Sequence, residues 1–201
     1  DVEDLDFSLL SPEGQRYVQD FLKNYGYGDA ITFIKDKFNV SEEVAEKLIG
    51  FDGQKLLQQM FDLRDQGEWG EVIRIYDEYL LGPWKEVSEA KLQAALALNR
   101  RNQDDDRQRA FQLTDEVIKK EKGKPLISEA AGIRARIFKD LYFETGDSKY
   151  LDLAIDTYIW GYNANTMDYY PGSAALDLLY EKGTPEALEK AHRIAKRVSL
   201  S

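Results

Sequence analysis

The sequence contains no cysteine and a single histidine, and each shortage excludes a type of chemistry. Without cysteine, the chain has no thiol nucleophile, no thiolate metal ligand and no disulfide. His192 is the one imidazole, and no Gly-x-Ser-x-Gly pattern supplies a serine nucleophile to pair with it. We therefore predict a protein that is not an enzyme, with no catalytic residue, no metal site and no cofactor.

Long apolar runs and a basic excess are also missing. No stretch approaches the about 18 apolar residues that a membrane-spanning helix needs, and the acidic N-terminus is unlike a signal peptide. With a net charge of −10, nucleic-acid binding would need a local basic patch, and Glu116 and Glu121 accompany the lysines at 119–124. We predict a cytoplasmic chain with neither a membrane nor a nucleic-acid partner, in an undetermined oligomeric state. Because it begins at Asp1, we expect a processed chain or a fragment.

Two segments resemble ligand-binding motifs only in part. Gly26-Tyr27-Gly28 lacks the third glycine and the preceding strand of a dinucleotide-binding loop. Asp104-Asp105-Asp106 are consecutive, whereas a calcium loop spaces its oxygen ligands and ends in a distal glutamate. Carboxylates are favourable at the positive end of a helix dipole. The aspartate run therefore predicts the beginning of a helix.

Helical periodicity runs through the sequence, and strand patterns are nearly absent. The capping signal Ser11-Pro12-Glu13 predicts a helix that ends at Gly26. Further helices are predicted over 29–38 and from Ser41 to Gly50. These segments do not share the period of the later sequence, so residues 1–52 are predicted to form an N-terminal helical cap or subdomain.

From residue 53 onwards, the predicted helices come in pairs. Glycine and proline separate the pairs, and the segment 168–172 is predicted to be a turn in which Pro171 and Gly172 make the bend. The predicted pairs lie near 56–63 and 72–79, 84–102 and 106–122, 127–144 and 149–162, and 172–182 and 185–198.

A repeat connects these pairs. The second helix of each pair carries two packing positions at i, i+4 spacing, and the first of these positions lie 38, 44 and 37 residues apart. Tetratricopeptide units are about 34 residues long, and such pairs bury their apolar faces only by stacking. We predict that residues 53–201 form an all-α tetratricopeptide-like solenoid, with an ordinary helical bundle as the alternative. The paired positions are Val72 and Tyr76, Ala110 and Thr114, Ala154 and Tyr158, and Ala191 and Ala195.

Two stretches resemble a known domain. Ile137-Phe138-Lys139-Asp140 and Asp168-Tyr169-Tyr170-Pro171-Gly172 are similar to stretches of the MAP3K TRAFs-binding domain. That tetratricopeptide-type domain lies in the regulatory region of apoptosis signal-regulating kinases and in bacterial proteins, often fused to effector enzymes. The resemblance covers residues 106–198, is weaker over 53–105, and departs at Ser173, where the family often has Ile-Asn. It implies a regulatory or scaffolding module.

Aromatic and charged side chains crowd the same half of the chain. Solenoids commonly bind partners on a concave surface, and tyrosine and arginine are enriched at binding hot spots. We predict a non-catalytic scaffold that binds a partner protein or an attached effector. The alternative is a nucleotide-sensing or nucleic-acid-associated regulatory module. For each single residue, packing or a solvated surface is the competing interpretation. The predicted partner-binding residues are Arg134, Lys139, Asp140, Tyr142, Tyr169 and Tyr170.

Overall fold

A computed structural model describes residues 26–39, 41–48, 53–80 and 82–198. Within these ranges the chain forms ten α-helices and no strand, which confirms the all-α prediction. The helix predicted to begin at Ser11 lies outside the described residues. The helices are α1 (Tyr27–Phe38), α2 (Glu42–Leu48), α3 (Gly53–Gln66), α4 (Trp69–Arg74), α5 (Ser88–Arg101), α6 (Asp106–Lys120), α7 (Leu126–Thr145), α8 (Ser148–Ala164), α9 (Tyr169–Lys182) and α10 (Pro185–Val198).

Eight of these helices form four stacked pairs, α3/α4, α5/α6, α7/α8 and α9/α10. A π-helical turn, Ile75–Tyr79, extends α4, and a 3-10 turn, Gly82–Glu86, leads into α5. From one pair to the next, the first helices α3, α5, α7 and α9 contact each other, whereas contacts among the second helices are sparse at most. The first helices therefore form the inner surface of a tetratricopeptide-like solenoid. The domain boundary at residue 52 stays a prediction.

The repeated packing positions lie where the pairs meet. Val72, Ala110, Ala154 and Ala191 are all fully buried. Three of them are alanines, whose small side chains let neighbouring helices approach closely. Of the second positions, Tyr76, Thr114 and Tyr158 are also buried. The spacing noted in the sequence thus corresponds to buried positions of the second helices.

The aspartate run begins a helix, as predicted. Asp106 is buried at the first position of α6 and accepts a hydrogen bond from the backbone N–H of Gln103 at 3.0 Å. Its carboxylate also accepts two hydrogen bonds from the Arg101 guanidinium, at 2.8 and 2.7 Å. The charge of Asp106 is therefore balanced where the chain turns from α5 into α6.

The turn predicted at 168–172 is wrong, because Pro171 and Gly172 both lie inside α9. The Asp168 side chain caps that helix by accepting a hydrogen bond from the Tyr170 N–H at 3.2 Å. Pro171 is the third residue of the helix, in the first turn, where an N–H has no acceptor within the helix. Proline is tolerated in the first turn of a helix for this reason. The actual turn precedes Asp168.

At Gly172, side chains of the neighbouring helices come too close to leave room for a side chain. A Cβ atom at this position would lie 2.8 Å from Cγ2 of Val198 and 2.9 Å from Cδ2 of Tyr162. The absence of a side chain lets α9 pack directly against α8 and α10. The glycine that the sequence indicated as a bend thus serves packing between helices.

Candidate partner-binding surface

The inner groove is the name we use for the surface formed by α3, α5, α7 and α9. Polar side chains connect its helices, since Arg64 on α3 donates a hydrogen bond to Gln93 on α5 at 3.1 Å. The amide of Gln93 in turn donates to Glu129 on α7 at 3.5 Å. At the far side, Ser128 on α7 donates to the Asp168 carboxylate at 2.8 Å. These contacts fix the relative positions of the groove helices.

Asp140 lies in the inner groove between α5 and α7. Its carboxylate accepts a hydrogen bond from the side-chain amide of Asn99 at 2.7 Å. The other carboxylate oxygen lies 3.4 Å from Nε of Arg136, one helical turn away. Asp140 is thus partly buried in a polar network rather than free on the surface. Its predicted role in partner binding stays a prediction.

A shallow cleft of about 290 Å³ opens beside Asp140. Phe143 is 60% exposed at its edge. Arg107 and Glu144 form a bidentate ion pair there, which leaves little net charge on that side. The cleft offers an aromatic face next to hydrogen-bonding groups. Its lining residues are Asn99, Arg100, Asn102, Arg107, Asp140, Phe143 and Glu144.

Tyr169 and Tyr170 begin α9 and are 67% and 50% exposed. The Tyr170 ring lies against α7, because a Cβ atom at Gly132 would be 3.7 Å from its Cε1. The same ring meets the buried Tyr158 ring edge-on, with the centroids 6.3 Å apart. Tyr170 therefore packs beside Gly132 of α7 and Tyr158 of α8.

Arg134 lies on another side of α7. It pairs with the Asp115 carboxylate on α6, and its guanidinium carbon lies 5.3 Å and 5.8 Å from the ring centroids of Phe111 and Phe138. These contacts give Arg134 a packing role between α6 and α7, away from Tyr170.

Tyr142 and Lys139 complete the predicted set. Tyr142 packs against the second core cluster, formed by residues of α7 to α10. Its ring centroid also lies 5.2 Å from that of Phe143. Lys139 is partly exposed on α7, one residue before Asp140. Of the six predicted residues, Asp140 and Tyr170 both lie near enough to Tyr158 to raise the pKa of its hydroxyl, and Lys139 is adjacent to Asp140 in sequence.

Two residues that sequence reasoning did not assign to the groove lie at its floor. Tyr158 is fully buried, and its hydroxyl has no hydrogen-bond partner among the described residues. Burial, together with the neighbouring Tyr170, raises the pKa of the Tyr158 hydroxyl, so it stays protonated. Nε of Arg136 is likewise buried without a hydrogen bond. In the sequence, only the helical spacing of Arg136 with Asp140 could have drawn attention to this pair.

Glu129 on α7 has carboxylates among its neighbours. The residue is exposed, but partial desolvation of its carboxyl raises the pKa of Glu129, and the charges of Glu89 and Asp168 raise it further. Arg64 and Gln93 act in the opposite direction. Glu129 thus lies among two carboxylates and one cation.

The described part of the chain contains no group of three or more His, Asp or Glu residues that could hold a metal ion. Within the same residues, no helix has the length and apolarity needed to cross a membrane. Nδ1 of the exposed His192 lies 2.9 Å from the backbone carbonyl of Leu188 in its own helix.

The sequence model of one protein family, described as Tetratricopeptide Repeats-Sensor, matches residues 68–179. This range runs from the start of α4 into α9 and includes every groove residue from Gln93 to Tyr170 named above. No curated protein and no solved structure matches the chain.

Proposed function

The chain belongs to the Tetratricopeptide Repeats-Sensor family, and we propose that it is a non-catalytic regulatory scaffold that binds a partner protein, or an attached effector, in its inner groove. The observation that carries this proposal is a set of exposed aromatic side chains on the first helices. Phe143, Tyr169 and Tyr170 are each at least half exposed. Aromatic residues next to hydrogen-bonding groups are typical of interface hot spots.

The resemblance to the MAP3K TRAFs-binding domain supports a regulatory role, because that domain is found in kinase regulatory regions and beside bacterial effector enzymes. We place the protein in the cytoplasm, since a chain without cysteine fits a reducing compartment. The net charge of −10 opposes binding to nucleic acid. A nucleotide-sensing role is the second candidate, favoured by the family description, which contains the word sensor.

The test compares one groove variant with one outer-surface variant. The groove variant carries Phe143→Ser and Tyr169→Ser, and the control carries Trp160→Ser on α8, where the tryptophan is 41% exposed on a second helix. All three proteins are used as bait in native lysate, with cross-linking and mass spectrometry as the readout. Circular dichroism verifies that both variants are folded.

We expect a protein partner that the wild type and the Trp160→Ser control retain and the groove variant loses. Equal retention by the groove variant would place the binding surface elsewhere. If only a nucleotide or nucleic acid is recovered, the sensing role replaces the scaffold role. The control is essential because any loss of an exposed aromatic lowers non-specific adhesion.

A further inference from the structure

Beneath Tyr170, the floor of the inner groove contains hydrogen-bond donors without acceptors. The hydroxyl of Tyr158 is fully buried, and neither it nor Nε of Arg136 has a hydrogen-bond partner among the described residues. Most buried polar groups in proteins are hydrogen-bonded, so each exception calls for an explanation. Arg136 is near enough to act electrostatically on the Tyr158 hydroxyl, and two such donors favour a ligand that presents acceptor oxygens.

The charged side chains near the floor favour a ligand that carries a single negative charge. Arg136 and Lys139 are cations one turn apart on α7, and Lys139 makes no salt bridge within the described residues. Asp140 is the carboxylate beside them, but its oxygen is 3.4 Å from Nε of Arg136. Among Arg136, Lys139 and Asp140, two cations and one carboxylate leave one positive charge.

Tyr170 lies over this floor and is 50% exposed. Its ring meets the Tyr158 ring edge-on, and the Tyr170 side chain also interacts with the Tyr158 hydroxyl. On the opposite side lies Gly132, which has no side chain to hold the ring in place. A rotation of the Tyr170 side chain towards solvent would therefore uncover the Tyr158 hydroxyl.

We propose that the groove floor binds the carboxylate of an acidic side chain of the partner, with Arg136 and Tyr158 as donors and Tyr170 moving aside. This inference rests on the proposed scaffold function. A carboxylate carries one negative charge, which matches the net charge of Arg136, Lys139 and Asp140. A phosphate carries about −1.5 to −2 and would face the Asp140 carboxylate with excess charge. The overall charge of −10 opposes every anion, and it opposes phosphate more strongly than a singly charged carboxylate.

The experiment follows Tyr170 directly. The full chain carries 3-fluorotyrosine at position 170, and its ¹⁹F resonance is recorded at constant ionic strength. Three probes are titrated: the capped peptide acetyl-Gly-Ser-Glu-Gly-Ser-amide, the same peptide with Gln in place of Glu, and inorganic phosphate. We expect a saturable shift with the Glu peptide and no saturable shift with the other two.

Two variants connect this response to the floor. Tyr158→Phe removes only a hydroxyl for which the described residues supply no hydrogen-bond partner, so we expect the fold to be retained. We expect Tyr158→Phe and Arg136→Gln each to weaken the Glu-peptide response by about tenfold, the effect of losing one hydrogen bond to a charged group. Arg136→Lys, which keeps the charge, should recover part of it.

Three results would overturn the inference. The first is the absence of a shift with the Glu peptide, the second is an undiminished response in Tyr158→Phe, and the third is a stronger response to phosphate than to the Glu peptide. A partner that is still captured through the groove in the lysate experiment would show that the scaffold function stands without this subsite.

Discussion

Gly161 on α8 faces Ala131 on α7 so closely that a Cβ atom on the glycine would lie 2.9 Å from the Cβ of the alanine. The same atom would be 3.3 Å from the backbone oxygen of Ser128. Both neighbours are rigid, because one is a methyl group on a helix and the other is backbone. The third pair is therefore held at a distance that only glycine permits.

Gly161→Ala should lower the free energy of unfolding by about 1–3 kcal/mol, the usual cost of overpacking a core. Gly70→Ala is the matched control, since nothing lies within 4 Å of a Cβ atom at that helical position. Without a clash, alanine should be neutral or stabilise the helix by up to about 1 kcal/mol. Urea unfolding followed by circular dichroism measures both changes. Equal effects would contradict the close approach of α7 and α8.

Asp106→Asn should destabilise the protein by about 1–3 kcal/mol at neutral pH, because Arg101 loses a charged partner. The Arg101 guanidinium holds the pKa of Asp106 below its usual value, and the Gln103 N–H acts in the same direction. The unfolded state then binds the proton more tightly, so this stabilisation is present above about pH 4 and is lost as the pH falls further. Thermal melts from acid to neutral pH should show a shallower acid loss in the variant. An unchanged acid slope would mean that other carboxylates dominate.

Glu129→Gln should change the stability at neutral pH in the opposite direction to Asp106→Asn. Since the folded protein raises the pKa of Glu129, the folded state binds the proton more tightly, and stability falls as the pH rises above about 4. The glutamine variant should therefore melt at a higher temperature than the wild type at pH 7. The two melting curves should converge at acid pH, where both side chains are neutral. A lower melting temperature of the variant at neutral pH would show that the attraction of Arg64 outweighs desolvation.

Most of the architecture could be predicted from the sequence, because the residues that pack within helix pairs recur at regular spacings. Ala110 and Ala154 lie in helix contacts as the spacing indicates. The error at Pro171 arose because proline and glycine are ambiguous: they mark turns, and they also occupy the first turn of a helix and close helix contacts. Local sequence does not distinguish these uses.

The groove residues were harder to predict, because the side chains that face the groove depend on how each helix is rotated about its own axis. Asp140 and Arg134 are both charged residues on α7, yet one faces Asn99 in the groove and the other faces Asp115 on α6. Tyr158 was assigned to packing from its spacing, and it does pack. Its unsatisfied hydroxyl becomes visible only when the neighbouring helices are in place.

The helix α7 contributes to two core clusters, with Ile133 and Ile137 in the first and Ala135 in the second. The boundary between the clusters consequently passes through a single helix and not between neighbouring repeats. Neither half of the array can unravel while the other keeps its complete interior, so we expect the four pairs to unfold in one concerted transition. A disturbance of α7 is therefore expected to loosen the packing of both clusters at the same time.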